Sequence, residues 1–496
     1  MERILIKNAR IVDVQAGKHL PEGTGILIEG DRIQAMPMLE GPGEKPALPG
    51  DLPDCRVIDA GGRTLIPGMF NTHCHLHMGP RGIVGARQTV KSLADCIDRG
   101  VTNIRDALCY DLRDSREWSG RIAKGSVAGP RIQQAVHISI EGGTYAPVRH
   151  PKTLLQLAAI GLRPLDYERV ESGVITLRPD APPQDFRDAV NRAIDLRGAG
   201  AIKLCDQPEH FLSYQPGAPL LSQAQLDAAV DQARVRGVPA TMHNVTAAGF
   251  RRAVRSGMTS TAHIPLDALL DQADIDAFMT GQTMFEPTLS LTYFLCYHLR
   301  GSRLCGDPEI DRLDAMRSPT YERVIDESWI PELRPFRMGI HRMLAAGNPK
   351  VLGLIDVGTP FNYYQPIVTT GAENVRRLID AGAAARLSCG TDAGASNCGP
   401  AAIDLEMTML DFALNRPGRN PLAGADFLRT ATINSARSLG LEADFGTLEP
   451  GKVADIAVLD GNPLADWKLI GRPVAALFKA GRLVVNRCGL HFDCRS

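Results

Sequence analysis

Apolar and polar positions alternate in two different ways along the chain. Near the ends, short runs have the character of strands: ILIKNARIV (4–12) and GILIEGDRIQAM (25–36), the latter turning at Gly30-Asp31. ADIAVLDG (454–461) and AALFKAGRLVVN (475–486) repeat the style, with Ala480-Gly481 as a hairpin turn. Between 36 and 54 a stretch rich in Pro and Gly reads as a loop. The middle behaves differently. From about residue 90 an amphipathic helix, a glycine that can end it and a short apolar strand recur as one unit. Examples are KSLADCIDRG–VTNIRDA, FRDAVNRAIDLRGAG–AIKLC, AQLDAAVDQARVRG–VPATMH, AAGFRRAVRSG–MTSTAH, DQADIDAFMTG–QTMFEPTL and AENVRRLIDAGAA–ARLSCGTD. The units have no fixed sequence period, so they do not form a solenoid.

Helix–strand alternation calls for a parallel sheet, open or closed. The strand ends decide between them. Lys203, His243, His263 and Asp392 each stand at or near the C-terminal end of an expected strand, and His73 and His75 follow the first. A closed eight-stranded barrel brings such positions to one mouth; an open sheet spreads them along a line. The expected fold is therefore α/β: a (β/α)8 barrel over 67–446, with mouth loops near 137–185 and 290–365. Residues 1–66 and 447–496 are expected to form one composite β-sandwich domain beside it, which places the chain ends near each other.

Composition narrows the function classes. The 496 residues carry a formal net charge of −1, which gives no electrostatic reason to expect nucleic acid or an anionic membrane as partner. No run of about 18 apolar residues is available to span a bilayer, and MERILIKNAR lacks a signal peptide's apolar region. The 11 cysteines include no CxxC, which excludes a zinc ribbon or thioredoxin motif. A cytoplasmic protein is expected, and the reducing compartment argues against pairing Cys488 with Cys494.

Of only 12 histidines, three fall at alternate positions in NTHCHLH: His73, His75 and His77. Alternate residues of a strand face the same side. Imidazole nitrogen and carboxylate oxygen are ordinary ligands of zinc and similar ions. Taken singly, His243 in ATMHNV and His263 in STAHIP read as satisfied core histidines, and Asp392 in CGTDAG as a helix cap. Lys203 in AIKLC is odder, because a lysine inside an apolar strand must be paired, deprotonated or modified. The joint placement at strand ends favours a metal site.

These residues carry a resemblance. TLIPGMFNTHCHLH resembles the first-strand HxH segment of the amidohydrolase superfamily, and ATINSARSLGLEADFGTLEPGKVADIAVLDGNPLAD resembles its C-terminal signature. GVTNIRDA, GAGAIKLC, the two later histidines and GTDA lie between them in the family's order, and the binuclear imidazolonepropionase/Xaa-Pro dipeptidase-like branch is the nearest in pattern. The resemblance implies that His73 and His75 bind a buried divalent ion, His243 and His263 a more exposed one, both ions being zinc. Lys203 matches a lysine that is carboxylated and bridges the two. Asp392 matches the aspartate that touches the buried ion and moves protons. The implied enzyme is a hydrolase of an amide-type C–N bond in a small-molecule substrate (peptide, N-acyl amino acid, carbamate or urea). Its nucleophile is a metal-bridging hydroxide, and its expected assembly a homo-oligomer. A mononuclear deaminase or ester/lactone hydrolase is the alternative, and a non-catalytic scaffold a remote one.

Two positions depart from the family's pattern. Asn71 stands where an acidic residue usually precedes HxH, and Thr246 where the deaminase branch commonly has a glutamate. Tyr145, in EGGTYAP, and His77 are candidate substrate contacts; FNYYQP (361–366) and Tyr293 could add aromatic walls. Arg105 and Asp106 are expected to pair structurally.

Overall fold

The computed structural model describes residues 2–39, 55–76, 86–108, 112–146, 172–208, 217–290, 367–393, 399–416, 418 and 422–493. The N-terminal segment forms β1 (Arg3–Lys7), β2 (Arg10–Asp13), β3 (Lys18–His19), β4 (Ile26–Glu29), β5 (Arg32–Ala35), β6 (Cys55–Asp59) and β7 (Thr64–Pro67). Next come β8 (Met69–Cys74), β9 (Val101–Asp106), β10 (Arg131–Ile140), β11 (Val174–Leu177), β12 (Ala201–Asp206), β13 (Ala240–Asn244), β14 (Ser260–Ala262) and β15 (Met284–Glu286). The C-terminal segment adds β16 (Ile456–Leu459), β17 (Ala476–Lys479), β18 (Arg482–Asn486) and β19 (Phe492–Asp493).

The two ends of the chain interleave. One sheet has the order β19-β6-β1-β4-β5, the other β18-β17-β16-β7-β2-β3, so each mixes N- and C-terminal strands. Ile4, Ile6, Ile28 and Ile58 of the first sheet share a core with Ile11, Leu65, Ile456, Val458 and Phe478 of the second. Burying each such side chain contributes about 1.5–3 kcal/mol, so this shared layer holds the sheets together. The run ILIKNARIV proves to be two strands, one for each sheet. It breaks at Asn8, which takes φ 52° and donates from Nδ2 to Asp59 Oδ1 at 2.8 Å. Both expected hairpins form, with Gly30, Ala480 and Gly481 at positive φ.

The chain leaves β7 at Pro67 and enters the barrel at Met69 through Gly68, where a Cβ would lie 2.4 Å from Thr102 Oγ1. Strands β8-β9-β10-β12-β13-β14-β15 then run parallel in that order, with β11 added to β10. The expected helix–glycine–strand units supply β9 and β12 to β15, for example helix Pro183–Asp195, Gly198 at φ 64°, then β12. β12 is buried at every position, as a barrel strand covered on both faces must be. The last unit departs from the pattern: after helix Ala372–Asp380, residues 387–393 form no strand. They instead close the circle through single bridges, Phe285 to Leu387 and Cys74 to Ala393.

The region 137–185, expected as mouth loop, starts inside β10 and contains β11 and the start of helix Pro183–Asp195. The reason lies in QAVHISI, an apolar run that continues the strand through its histidine. Of 290–365, only Ser290 is among the described residues, and Tyr293 and 361–366 lie outside them. Cys488 is a free thiol, and Cys494 lies outside the described residues.

Candidate metal centre

Strand ends bring His73, His75, Lys203, His243, His263 and Asp392 to one side of the barrel, and all but the partly exposed His75 are buried. The rings of His73 and His75 lie 5.3 Å apart, His73 and His263 5.1 Å, and His243 and His263 4.4 Å. Asp392 Oδ1 is 2.9 Å from His75 Nε2 and 3.5 Å from His73 Nε2. Tyr145 joins them, its hydroxyl 3.3 Å from His243 Nδ1. His77 lies outside the described residues.

The backbone is bent to deliver these groups. Tyr145, His263, Thr288 and Asp392 are four of the six non-glycine residues with positive φ among the described residues (65°, 69°, 49° and 51°). Such conformations are costly for side chains with a Cβ, and proteins keep them where a site needs them. Asp392 is held by its backbone N–H donating to His73 O at 2.9 Å, while His75 N donates to Ala393 O at 2.6 Å. Asn71, in the position where an acid was expected, ties the same segment. Its Nδ2 donates to Thr391 Oγ1 and Pro400 O at 2.7 and 2.8 Å, and its Oδ1 accepts from His73 N and Thr391 N, both at 3.2 Å.

Protonation states suit ligation. Burial, reinforced by the Lys203 charge, pushes His73 well below the ordinary imidazole range; burial does the same to His243, and brings His263 to about 4. These histidines are therefore neutral at pH 7 and can offer lone pairs. Burial alone would raise Asp392, but the His75 hydrogen bond and the nearby His75, His263 and Lys203 hold it below the usual carboxylate range. Desolvation, with Arg105 close by, lowers Lys203 to about 8.

His73, His263 and Asp392 each bring one ligand atom within 4.8 Å of one another, an arrangement that could hold a metal ion. Among the described residues this is one group of three, whereas two sites were expected; His75, Lys203 and His243 surround it without forming a second. Orphaned polar atoms test the fit. His73 Nδ1, His75 Nδ1, His137 Nε2 and Lys203 Nζ are buried with no hydrogen-bond partner among the described residues. All four residues line one cavity with Leu108, Tyr145 and His243. Burial of unpaired donors and acceptors is costly, and a bound cation with its ligands and solvent would offset it.

Several residues at the site were not foreseen. His137 Nδ1 donates to Lys203 O at 3.1 Å, and burial lowers the imidazole's pKa to about 3. Gln207 Oε1 sits 2.6 Å from His243 Nε2, and Thr288 Oγ1 2.6 Å from His263 Nδ1. Arg105 ion-pairs with Glu286, both fully buried. The sequence signal available for His137 and Glu286 was a polar residue inside an apolar run. Thr246 accepts from Gly249 N at 3.0 Å and caps helix Ala247–Arg255, so the deaminase position is filled by a structural residue.

Residues 387–393 thus close a barrel that carries histidines and an aspartate at its strand ends, a donor set suited to a divalent metal ion. The Amidohydrolase family model matches residues 64–484, and the chain belongs to that family. Ochratoxinase from Aspergillus niger is 35% identical over 444 residues, 84% of this chain and 75% of that protein. Imidazolonepropionase from Geobacillus kaustophilus (strain HTA426) is 33% identical over 156 residues, 31% of this chain. That match spans only about a third (33%) of the imidazolonepropionase. A crystal structure of a Xaa-Pro dipeptidase with bound methionine shares the fold at TM-score 0.65 and 20% identity, covering 97% of this chain and 99% of that one.

Proposed function

We propose that the protein is a metal-dependent hydrolase of a carbon–nitrogen bond in a small molecule, with one divalent ion held by His73, His263 and Asp392. The observation that carries this reading is their convergence within 4.8 Å, with both imidazoles neutral. A cation bound there would supply Lewis acidity, polarising a substrate carbonyl and making water a better nucleophile. The chain's own residues do the rest. Asp392, ionised and 2.9 Å from His75 Nε2, can accept a proton and return it to a leaving nitrogen. Tyr145 and His137 face the same cavity and can orient the carbonyl and its substituents.

A binuclear site with carboxylated Lys203, the pattern of the imidazolonepropionase/Xaa-Pro dipeptidase-like branch, is a second reading. One observation favours it: Lys203 Nζ is buried without a hydrogen-bond partner among the described residues and lowered to about 8. A neutral amine adds CO2 to form a carbamate with release of one proton, giving the anion that two cations would share. Metal content separates the two readings. About one zinc per chain in the active protein, with Lys203→Ala retaining activity, supports the first; two ions, both lost in Lys203→Ala, overturn it. The activity screen should include ochratoxin, imidazolonepropionate, Xaa-Pro dipeptides, N-acyl amino acids, carbamates, ureas and esters. Cleavage of esters alone would refute the C–N assignment.

A further inference from the structure

We propose that Glu286 is a positioning residue that fixes the tautomer of His73, so that His73 Nε2 keeps its lone pair toward the metal group. The proposal rests on the metal reading above. Glu286 stands at the end of β15, fully buried. Its Oε1 is occupied: Arg105 ion-pairs there, and Ser438 Oγ donates at 2.6 Å. Arg105 is itself fully buried and further held by Ser438 O at 3.3 Å, Ser260 Oγ at 3.4 Å and Thr241 Oγ1 at 3.5 Å. The carboxylate is thus anchored on one oxygen.

The other oxygen is aimed. Glu286 Oε2 lies 3.4 Å from His73 Nδ1, and neither atom has a hydrogen-bond partner among the described residues. Two orphaned, buried, chemically complementary atoms facing each other form a pair that a small ring rotation would close. On the same ring, Nε2 faces Asp392 Oδ1 at 3.5 Å. Gly390 makes the approach possible: a Cβ there would lie 2.8 Å from His73 Cβ and 3.4 Å from Glu286 Cβ. With Arg105 and Ser438 donating to Oε1, the free Oε2 is a hydrogen-bond acceptor, so it pairs with an Nδ1–H and not with a bare ring nitrogen. The neutral imidazole must then carry its hydrogen on Nδ1, which leaves Nε2 as the ligand atom.

Glu286→Gln tests this with minimal loss of shape. The amide oxygen can still accept from Arg105, but the amide NH2 then faces His73 and asks Nδ1 to be an acceptor. Histidine tautomers are read by 15N NMR of the metal-free, 15N-histidine-labelled full chain at pH 7, with His73 assigned from His73→Gln. The expected result is an Nδ1–H tautomer for His73 in the wild type and an Nε2–H tautomer in Glu286→Gln. Zinc affinity, measured by competition with a chromophoric chelator, should fall about 10- to 100-fold in the variant. A purely structural role in holding Arg105 would lower the melting temperature without moving the tautomer. An Nε2–H His73 in the wild type overturns the proposal. So does a folded Glu286→Gln protein with unchanged tautomer and zinc affinity. Should that variant fail to fold, the wild-type tautomer decides alone. Wild-type protein that takes up no zinc would sink the metal reading, while the tautomer would still judge Glu286.

Discussion

Asn71 offers a sharp test of how the segment bearing Asp392 is held. Replacing it with aspartate restores the acidic residue usual for the family and changes one atom group, NH2 to O. The amide's two donated bonds, to Thr391 Oγ1 at 2.7 Å and Pro400 O at 2.8 Å, become oxygen–oxygen contacts. Thr391 can rotate its hydroxyl and donate; the Pro400 carbonyl cannot. Leaving one buried acceptor unpaired costs about 1–3 kcal/mol, and a carboxylate pressed against it costs more. The expected loss at pH 8 is therefore about 2–4 kcal/mol.

Protonation provides an escape with a predictable sign. When neutral, the carboxyl introduced by Asn71→Asp could donate to Pro400 O, so its folded pKa is raised above the unfolded value of about 3.9. The penalty is then absent below that unfolded pKa. It grows as pH rises toward the folded pKa, by about 1.4 kcal/mol for each pH unit between the two values. Thermal unfolding of the metal-free wild type, Asn71→Asp and Asn71→Ala between pH 4 and 8 reads this directly. At about 2 °C per kcal/mol for a domain of this size, Asn71→Asp should melt about 4–8 °C below wild type at pH 8, with the gap closing toward pH 4. Asn71→Ala should lose stability by an amount that does not depend on pH. An Asn71→Asp protein melting with the wild type at pH 8, or a gap constant across the range, would refute the reasoning.

Three further outcomes follow from the same geometry. Lys203, lowered from 10.5 to about 8, binds fewer protons folded than unfolded between those values, so metal-free stability should rise with pH across that window. Lys203→Met should remove this slope and gain about 3 kcal/mol below pH 8, read from urea midpoints; equal slopes would count against a neutral buried lysine. Asp392→Ala should abolish zinc binding by equilibrium dialysis, whereas His243→Ala, outside the group of three, should keep about one ion per chain. Equal losses in both variants would favour two ions. Truncation after residue 445 removes β16 and uncovers Leu65 and Ile66 of β7, both fully buried, so insoluble protein is expected. A soluble, active truncation would contradict the interleaved sheets.

The legibility of this chain divides along a physical line. Helix–glycine–strand units were readable because each is a local signal: the amphipathic period sets the helix, and Gly198, Gly237 or Gly257 at positive φ ends it. The histidines and Asp392 were readable because strand ends in a closed sheet converge wherever the strands lie in sequence. What escaped depends on contacts made across the barrel. His137 and Glu286 sit in apolar runs, where periodicity treats a polar residue as an interruption of the strand. Only the folded barrel shows that His137 meets Lys203 O and that Glu286 is clamped between Arg105 and His73. Residues 387–393 escaped for a related reason. ARLSCGTD has a strand's apolar start, but its backbone turns to positive φ at Asp392 and spends its hydrogen bonds on His73 O and His75 N. A regular eighth strand would keep its extended backbone through Asp392 and point that carboxylate elsewhere. The broken ladder is thus the local cost of aiming a carboxylate at His73 and His75, and the network through Asn71 and Pro400 offsets it.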